Sequence, residues 1–384
     1  MVAMTTPTFE QGPIRPPSEA HSLLVRVIRN CTWNRCTFCP VYKGTKASQR
    51  SLDEVLADVD AMAAAAEALG GAGASADQLL AALHSGGVPA EAMQVALFLR
   101  GGARNVFLQD ADPCAVQTDK LVAILERLRR RFPTIVRVTT YGRAATIARR
   151  CPADLERLVA AGLTRLHLGL ESGADEVLTV ICKGATSAEL IEAGRKALTA
   201  GLELCFYVMP GLGGRELAEA HTRGTAAVLR AVASAAPEER PLVVRLRTTA
   251  VAPGTPLADR AAAGAVVLPD DVEVAAEVRS LIEQAGDSRF ELRSDHALNL
   301  LQELEGSLPA DRARLLALLD EFLSLSPRER AEFALGARLG IYRRLADRHD
   351  ARLRAVLEAQ AQDLALASED ELLDAAARLR ARFI

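Results

Sequence analysis

At 384 residues the chain is long enough for one large domain with an extension, or for two domains. It is 49% apolar and 25% charged, ordinary for a globular protein, and its net charge of −3 gives no electrostatic case for wholesale nucleic-acid binding. No apolar run reaches the roughly 20 residues of a membrane span.

Residues 1–20 read as an N-terminal extension: Met1 to Pro17 is polar and proline-rich, without the apolar core of a signal peptide. A cytoplasmic location is therefore expected. From Leu23 to about Leu257, apolar strands alternate with amphipathic helices. The strands are Leu23–Ile28, Asn105–Gln109, Ile135–Thr140, Arg165–Leu170, Glu203–Met209 and Pro241–Thr248. Their nearly continuous apolar runs suit parallel strands buried on both faces. Ser51-Leu-Asp-Glu54 and Thr186-Ser-Ala-Glu189 are capping boxes that open helices.

Alternation of this kind predicts an α/β fold with a parallel sheet. Six units are too few for a closed eight-fold barrel, so a partial (βα)6 TIM-like barrel is expected over 21–265. One connection is too long. Residues 70–102 are rich in Gly and Ala and hold two helical patterns, Ala76–His84 and Pro89–Arg100, read as a helical insertion. Residues 266–384 read as a mainly helical C-terminal domain. It has one short strand candidate at Phe290–Arg293 and breaks at Ser326-Pro327 and Asp350.

Chemistry concentrates in Cys31-Thr-Trp-Asn-Arg-Cys36-Thr-Phe-Cys39, directly after the first strand. The chain has seven cysteines, an odd number with three clustered, which argues for thiols kept reduced as ligands rather than for disulfides. The Cys-x4-Cys-x2-Cys spacing has three readings. A structural zinc site wants four ligands, and His21 or Cys114 would have to complete it. A plant-type ferredoxin begins with the same spacing but needs a fourth cysteine, and the next, Cys114, lies 75 residues on. The third reading, preferred here, is a 4Fe–4S cluster held by three thiolates, with one iron left open to a ligand that is not protein.

From Leu23 to Leu257 the chain resembles the radical S-adenosylmethionine superfamily. The resemblance rests on the cysteine loop, whose first gap is one residue longer than is typical there, on the strand order and on later motifs. It implies that Cys31, Cys36 and Cys39 hold the cluster and that the open iron takes the amino nitrogen and carboxylate of S-adenosylmethionine. By the same resemblance Phe38 lies by the adenine, or simply anchors the loop. Val106-Phe-Leu-Gln-Asp110-Ala-Asp112-Pro113 is similar to the segment that meets the cofactor's amino group, with Asp112 as its carboxylate and Asp110 facing substrate. The plainer reading of Asp112-Pro113 is turn chemistry. Leu168-Gly-Leu-Glu171-Ser172-Gly173 resembles the motif whose acidic residue takes the ribose hydroxyls, and Lys183 stands where a basic residue pairs with the methionine carboxylate, or is a solvated lysine at a helix end.

Tyr207-Val-Met209-Pro-Gly211 ends the fifth strand. Gly211 is expected near the adenine and Tyr207 in the substrate cavity. Arg245 and Arg247 share a strand face and, like Arg143, suit a substrate carboxylate or phosphate or equally a structural ion pair. Ser294 is read as a helix cap, and His296 and Asn299 as a pair on one helix face without a catalytic role. Cys114, Cys151, Cys182 and Cys205 read as buried apolar residues, Cys114 being of interest beside Asp112.

The resemblance implies reductive cleavage of S-adenosylmethionine to a 5′-deoxyadenosyl radical that abstracts hydrogen from substrate. It also implies a low-potential electron donor, flavodoxin or ferredoxin. The motifs look most like the branch of oxygen-independent coproporphyrinogen oxidases and tRNA methylthiotransferases. A small or medium organic substrate is the first expectation, and modification of RNA or protein the second, so nucleic acid stays open as a partner. A non-catalytic iron–sulfur electron carrier is the alternative of another class.

Overall fold

A computed structural model describes residues 8–73, 75, 90–360 and 368–380. Every expected strand is present within two residues of its expected start. They are β1 (Leu23–Arg26), β4 (Asn105–Gln109), β5 (Arg137–Gly142), β6 (Arg165–Glu171), β7 (Glu203–Val208) and β8 (Leu242–Leu246), with a small pair β2 (Ile28–Arg29) and β3 (Ser48–Gln49) beside the cysteine loop. The short candidate is β9 (Phe290–Arg293), and β10 (Gly306–Leu308) had no signal in the sequence. The eight-stranded sheet runs β1-β4-β5-β6-β7-β8-β9-β10. With helices in nearly every crossover, it has the α/β architecture of a partial (βα) barrel, extended by one parallel strand, β9, and one antiparallel strand, β10.

The chain divides into two compact units. The first comprises residues 1–34, 41–168 and 192–204, the second 35–40, 169–191 and 205–384. In the first unit β1, β4, β5 and β6 pair in parallel. Val106, Leu108, Val138, Leu166 and Leu168 are at most 2% exposed. They alternate along their strands with Phe107, Gln109, Tyr141 and His167, so each strand sends apolar side chains to one face and a more polar set to the other. The helices Leu52–Ala68 and Ala90–Arg100 pack together in this unit, Ala90–Arg100 also against β1. The expected helix Ala76–His84 lies outside the described residues. Both expected capping boxes are made: Ser51 Oγ accepts from the Glu54 amide at 3.1 Å, and in the second unit Thr186 Oγ1 accepts from that of Glu189 at 3.2 Å.

In the second unit β7, β8 and β9 pair in parallel, and Phe206, Val208, Val244 and Leu246 form the buried face. Beyond Asp270 the chain is mainly helical, as expected, and Ser326 opens the helix Pro327–Arg338 with a capping box. The helix Ala218–Ala233 meets the turn after β6 backbone to backbone. A Cβ on Gly224 would lie 2.7 Å from the Gly173 carbonyl oxygen and from the Ala174 nitrogen, while Thr225 Oγ1 accepts from the Gly173 amide at 3.0 Å. Helix propensity alone favours Gly224→Ala by about 1 kcal/mol. The packing reverses that sign: the variant should lose roughly 1–3 kcal/mol, read from the urea midpoint at unchanged m-value.

Candidate functional site

The cysteine loop has one half in each unit, and each half is held by its own neighbours. In the first unit, Asn30 (φ 67°) and Asn34 (φ 50°) both adopt the left-handed conformation and so bracket Cys31. Asparagine tolerates that region better than most residues. The Asn30 amide donates to Asp110 Oδ2 at 3.1 Å, and the Arg26 guanidinium donates to the same oxygen at 2.7 Å. The Tyr42 hydroxyl donates to Asp110 Oδ1 at 2.8 Å, and burial next to that carboxylate raises the Tyr42 pKa. Asn34 Nδ2 closes the loop by donating to the carbonyls of Tyr42 (2.5 Å) and Thr45 (3.0 Å). The Asn34 amide points at Cys31 Sγ, 3.3 Å away.

Asp110 was expected to face substrate. It is instead fully buried with both oxygens engaged, and it holds the start of the cysteine loop. Arg143 likewise lies over the Trp33 ring of the loop, 5.0 Å from its centroid, a cation–π contact in place of the expected substrate anion. Asp112 is buried too. Its Oδ1 accepts from the Arg143 amide at 3.2 Å, and its Oδ2 from the hydroxyls of Thr32 (3.1 Å) and Thr146 (2.7 Å). Burial raises its pKa against those bonds. Three bonds leave part of a carboxylate's roughly four acceptor positions open.

The N-terminal segment joins this network. The Gln109 side-chain amide grips Gly12 as a strand would, accepting from its nitrogen at 2.9 Å and donating to its oxygen at 3.1 Å. Glu10 pairs with Arg26 (2.8 Å) and Arg29 (2.6 Å).

The second unit holds the other half of the loop. The Thr37 amide donates to the Ile181 carbonyl (2.9 Å), and its carbonyl accepts from the Leu257 amide (3.0 Å). Cys36, Phe38 and Cys39, partly exposed, flank this staple. Ile181 directly precedes Cys182 and Lys183. Lys183 Nζ pairs with Glu171 Oε1 at 2.9 Å, both side chains being only 14% and 13% exposed. The pair sits on strained backbone, with Glu171 at φ 60° and Cys182 at φ 53°. A Cβ on Gly169 would fall on the Glu171 carboxylate and on Lys183 Nζ, so the glycine makes room for the pair. Ser172, expected at the cofactor, is instead fully buried, its hydroxyl oxygen accepting from the Ala174 amide at 3.1 Å.

Gly211 takes φ 83°, and its amide donates to Glu277 Oε1 at 2.9 Å. His221 Nε2 lies 3.3 Å from the same oxygen without hydrogen-bond geometry, and Glu277 Oε2 and both His221 nitrogens are buried without partners. Tyr207 and Arg245 are in register across β7 and β8, and Arg245 pairs with Asp295 at 2.5 Å. Asn299 and Ser294 serve structure: Asn299 Oδ1 accepts from the Thr248 amide (2.8 Å), and its Nδ2 donates to the Leu246 carbonyl (2.8 Å) and to Ser294 Oγ (3.1 Å). Ser294 therefore braces this turn rather than capping a helix. Cys114 and Cys205 are buried as expected, the Cys114 thiol being pushed up to about 12 by burial and by Asp112. Cys151 and Cys182 are exposed, against expectation, because they lie in the turns flanking short helices.

Residues 88–223 match the family model of the radical SAM superfamily. The matched span holds Asp110, Asp112, Arg143, Glu171, Ser172, Lys183, Tyr207 and Gly211, and it begins after the cysteine loop. Several solved structures are similar. OxsB, a cobalamin-dependent S-adenosylmethionine radical enzyme, is 14% identical over 93% of this chain and 58% of its own, with a TM-score of 0.45. The methyltransferase TsrM from Kitasatospora setae is 18% identical over 62% and 36%, at 0.41. HydG, a maturase of FeFe-hydrogenase, is 13% identical over 94% and 80%, at 0.42. The chain spans about half the length of the first solved structures it matches. No protein of curated function matches it.

The superfamily's enzymes use a 4Fe–4S cluster and S-adenosylmethionine, and the donor chemistry fits both. None of the three loop cysteines is in a disulfide, and an amide already points at one of the sulfurs. Among the described residues no three Cys, His, Asp or Glu side chains are gathered into a metal-binding group. The fold thus fixes the flanks of the loop rather than a finished sulfur cage.

Sequence reasoning missed Arg26, Asn30, Asn34, Tyr42 and Glu277. Only the asparagines carried a local signal, one beside Cys31 and one inside the loop. Glu277 bears on stability. Burial pushes its carboxyl up to about 7, opposed by the Gly211 bond, and pushes His221 down to about 4. The fold therefore favours protonated Glu277: its contribution is most favourable below the ordinary carboxylate range and worsens as pH rises toward 7. His221 has the opposite sign, its contribution being full above its ordinary range and lost as pH falls toward 4. Glu277→Gln should accordingly melt higher than wild type at pH 8, by on the order of 3 kcal/mol at most, with the gain shrinking toward pH 5 in thermal scans.

Proposed function

We propose that the protein is a radical S-adenosylmethionine enzyme acting on a small or medium organic substrate. The observation that carries this reading is the Cys31-Cys36-Cys39 loop after β1, in a chain whose residues 88–223 match the radical SAM family model. When bound, the cluster and S-adenosylmethionine supply a one-electron reductive cleavage to methionine and a 5′-deoxyadenosyl radical, which takes hydrogen from a substrate C–H bond.

Cys31, Cys36 and Cys39 would hold the cluster. Asp110, Asp112 and Arg143 fix the first half of the loop, and the Thr37 backbone fixes the second. The remaining acceptor capacity of Asp112 suits the cofactor's amino group. Glu171 suits the ribose hydroxyls and Lys183 the methionine carboxylate. In this structure the two satisfy each other, so docking exchanges their mutual bond for bonds to ligand. Phe38 and Gly211 are assigned to the adenine, and Tyr207 to the substrate side. Residues 21–265 form the catalytic core, with 1–20, 70–102 and 266–384 as additions to it, and the electron comes from a flavodoxin or ferredoxin in the cytoplasm. Among the described residues no helix is long and apolar enough to cross a membrane.

The test is anaerobic reconstitution with iron and sulfide, then dithionite and S-adenosylmethionine. The wild type should form 5′-deoxyadenosine, and Cys36→Ala should lose bound iron and all cleavage. Cleavage that persists in Cys36→Ala refutes the ligand assignment, and a wild type that holds a cluster but never cleaves the sulfonium is an electron carrier. In the same assay Glu171→Gln should raise the KM for S-adenosylmethionine by about 10-fold or more, since a hydrogen bond to a charged group is worth about 1.5–3 kcal/mol.

A further inference from the structure

The turn that follows β7 is tied into the second unit largely through its backbone. The Met209 amide donates to the Glu171 carbonyl at 2.9 Å, the Pro210 carbonyl accepts from the Thr249 amide at 2.9 Å, and the Arg215 amide donates to the Val267 carbonyl at 2.8 Å. Within the turn, Leu212 donates back to Met209 and Gly214 back to Gly211, both at 3.2 Å. The Gly211 amide is held differently. It donates to an ionisable side chain, Glu277 Oε1, at 2.9 Å.

Glu277 comes from the helix Asp271–Ala285, which closes over this turn. A Cβ on Gly211 would lie 3.0 Å from the Pro269 ring and 3.5 Å from the Val274 side chain. Nearer the surface, Arg215 pairs with Glu273 of the same helix at 2.7 Å. The polar groups around the Gly211–Glu277 bond are poorly served. Glu277 is 7% exposed, and His221, from the helix Ala218–Ala233, is 1% exposed. His221 Nε2 stands 3.3 Å from Glu277 Oε1. Among the described residues, Glu277 Oε2 and both ring nitrogens have no hydrogen-bond partner. An apolar residue at 277 would spare the fold this desolvation, but it would leave the Gly211 amide without an acceptor. The unfavourable burial therefore serves that amide.

The turn is thus anchored at two places. One is the carbonyl of Glu171, whose carboxylate suits the ribose, and the other is Glu277. We infer that Glu277, backed by His221, is a positioning residue for the adenosyl part of S-adenosylmethionine. It sets where the backbone of residues 209–214 stands against the adenine, and so the affinity for the nucleoside, without touching it. This rests on the reading that Gly211 lies at the adenine. A bond to one amide fixes a binding surface rather than a reacting atom, so its effect is alike in the ground state and the transition state and falls on KM.

The test uses the full-length, cluster-loaded protein and 5′-methylthioadenosine, which carries adenine and ribose but no amino-acid group. On binding, hydrogen exchange should slow in residues 209–214 and also in residues 272–281 around Glu277, and calorimetry gives the affinity. Glu277→Met, which removes the acceptor, should weaken binding about 5-fold or more, as loss of one hydrogen bond does. It should raise the KM for S-adenosylmethionine by a similar factor, with kcat changed far less. Glu277→Gln keeps an acceptor for the amide and should bind close to wild type. A merely structural role would lower the melting temperature of Glu277→Met and leave affinity and KM as they are. The inference is overturned if Glu277→Met binds like wild type, or if Glu277→Gln is as weak as Glu277→Met. It is also overturned if the nucleoside protects residues 209–214 and leaves 272–281 unchanged, a comparison that needs wild type alone and decides even where Glu277→Met does not fold. Binding that leaves 209–214 unprotected refutes the placement of Gly211 at the adenine, and the inference with it. Failure of the cluster reading appears instead in iron content.

Discussion

The candidate site depends on one buried carboxylate. Asp110 sits just past β4, fully enclosed, and accepts at once from the Arg26 side chain on β1, from the Asn30 amide next to Cys31, and from the Tyr42 hydroxyl beyond the loop. Taking a carboxylate out of water is unfavourable by several kcal/mol unless charge-assisted bonds replace the lost hydration. Here those bonds all converge on the segment that carries the first cysteine. The same cost that makes Asp110 a poor choice for a solvent-facing role makes it an effective anchor: removal of any one donor leaves buried charge short of partners, so the loop has little freedom to drift. Asp112 repeats the device just beyond Asp110, at the same strand end, through Thr32 and Thr146.

This arrangement explains which parts of the protein are legible from sequence. The strands were, because the outward side chains of β4 to β8 are buried almost without exception and a run such as Val106-Phe-Leu in a parallel strand leaves a clear signature. β10 was not: three residues, Gly306–Leu308, carry no period, and only pairing with β9 makes them a strand. In the site, the residue types at the strand ends were visible but their directions were not. Asp110 and Arg143 turn toward the loop and Ser172 into the interior, because each finds a partner that no spacing rule encodes: Tyr42 is 68 residues from Asp110, and Trp33 is still farther along the chain from Arg143. Glu171 and Lys183 were both visible as candidates, but their pairing with each other was not.

The polar groups of the second unit are satisfied very unevenly. Arg245 and Arg293 are ion-paired, and the Asn299 side chain both donates and accepts within its turn. The Glu277–His221 pair under Gly211 is the opposite case, with three buried polar atoms lacking partners. Such groups reduce stability, and they lie directly behind a glycine assigned to the adenine. Strained backbone at Glu171 and Cys182 lies in the same unit, and the Glu171 carbonyl accepts from the Met209 amide, just before Gly211, at 2.9 Å. Strain and unmet bonding at a single place are what a fold shows when a ligand is meant to complete it.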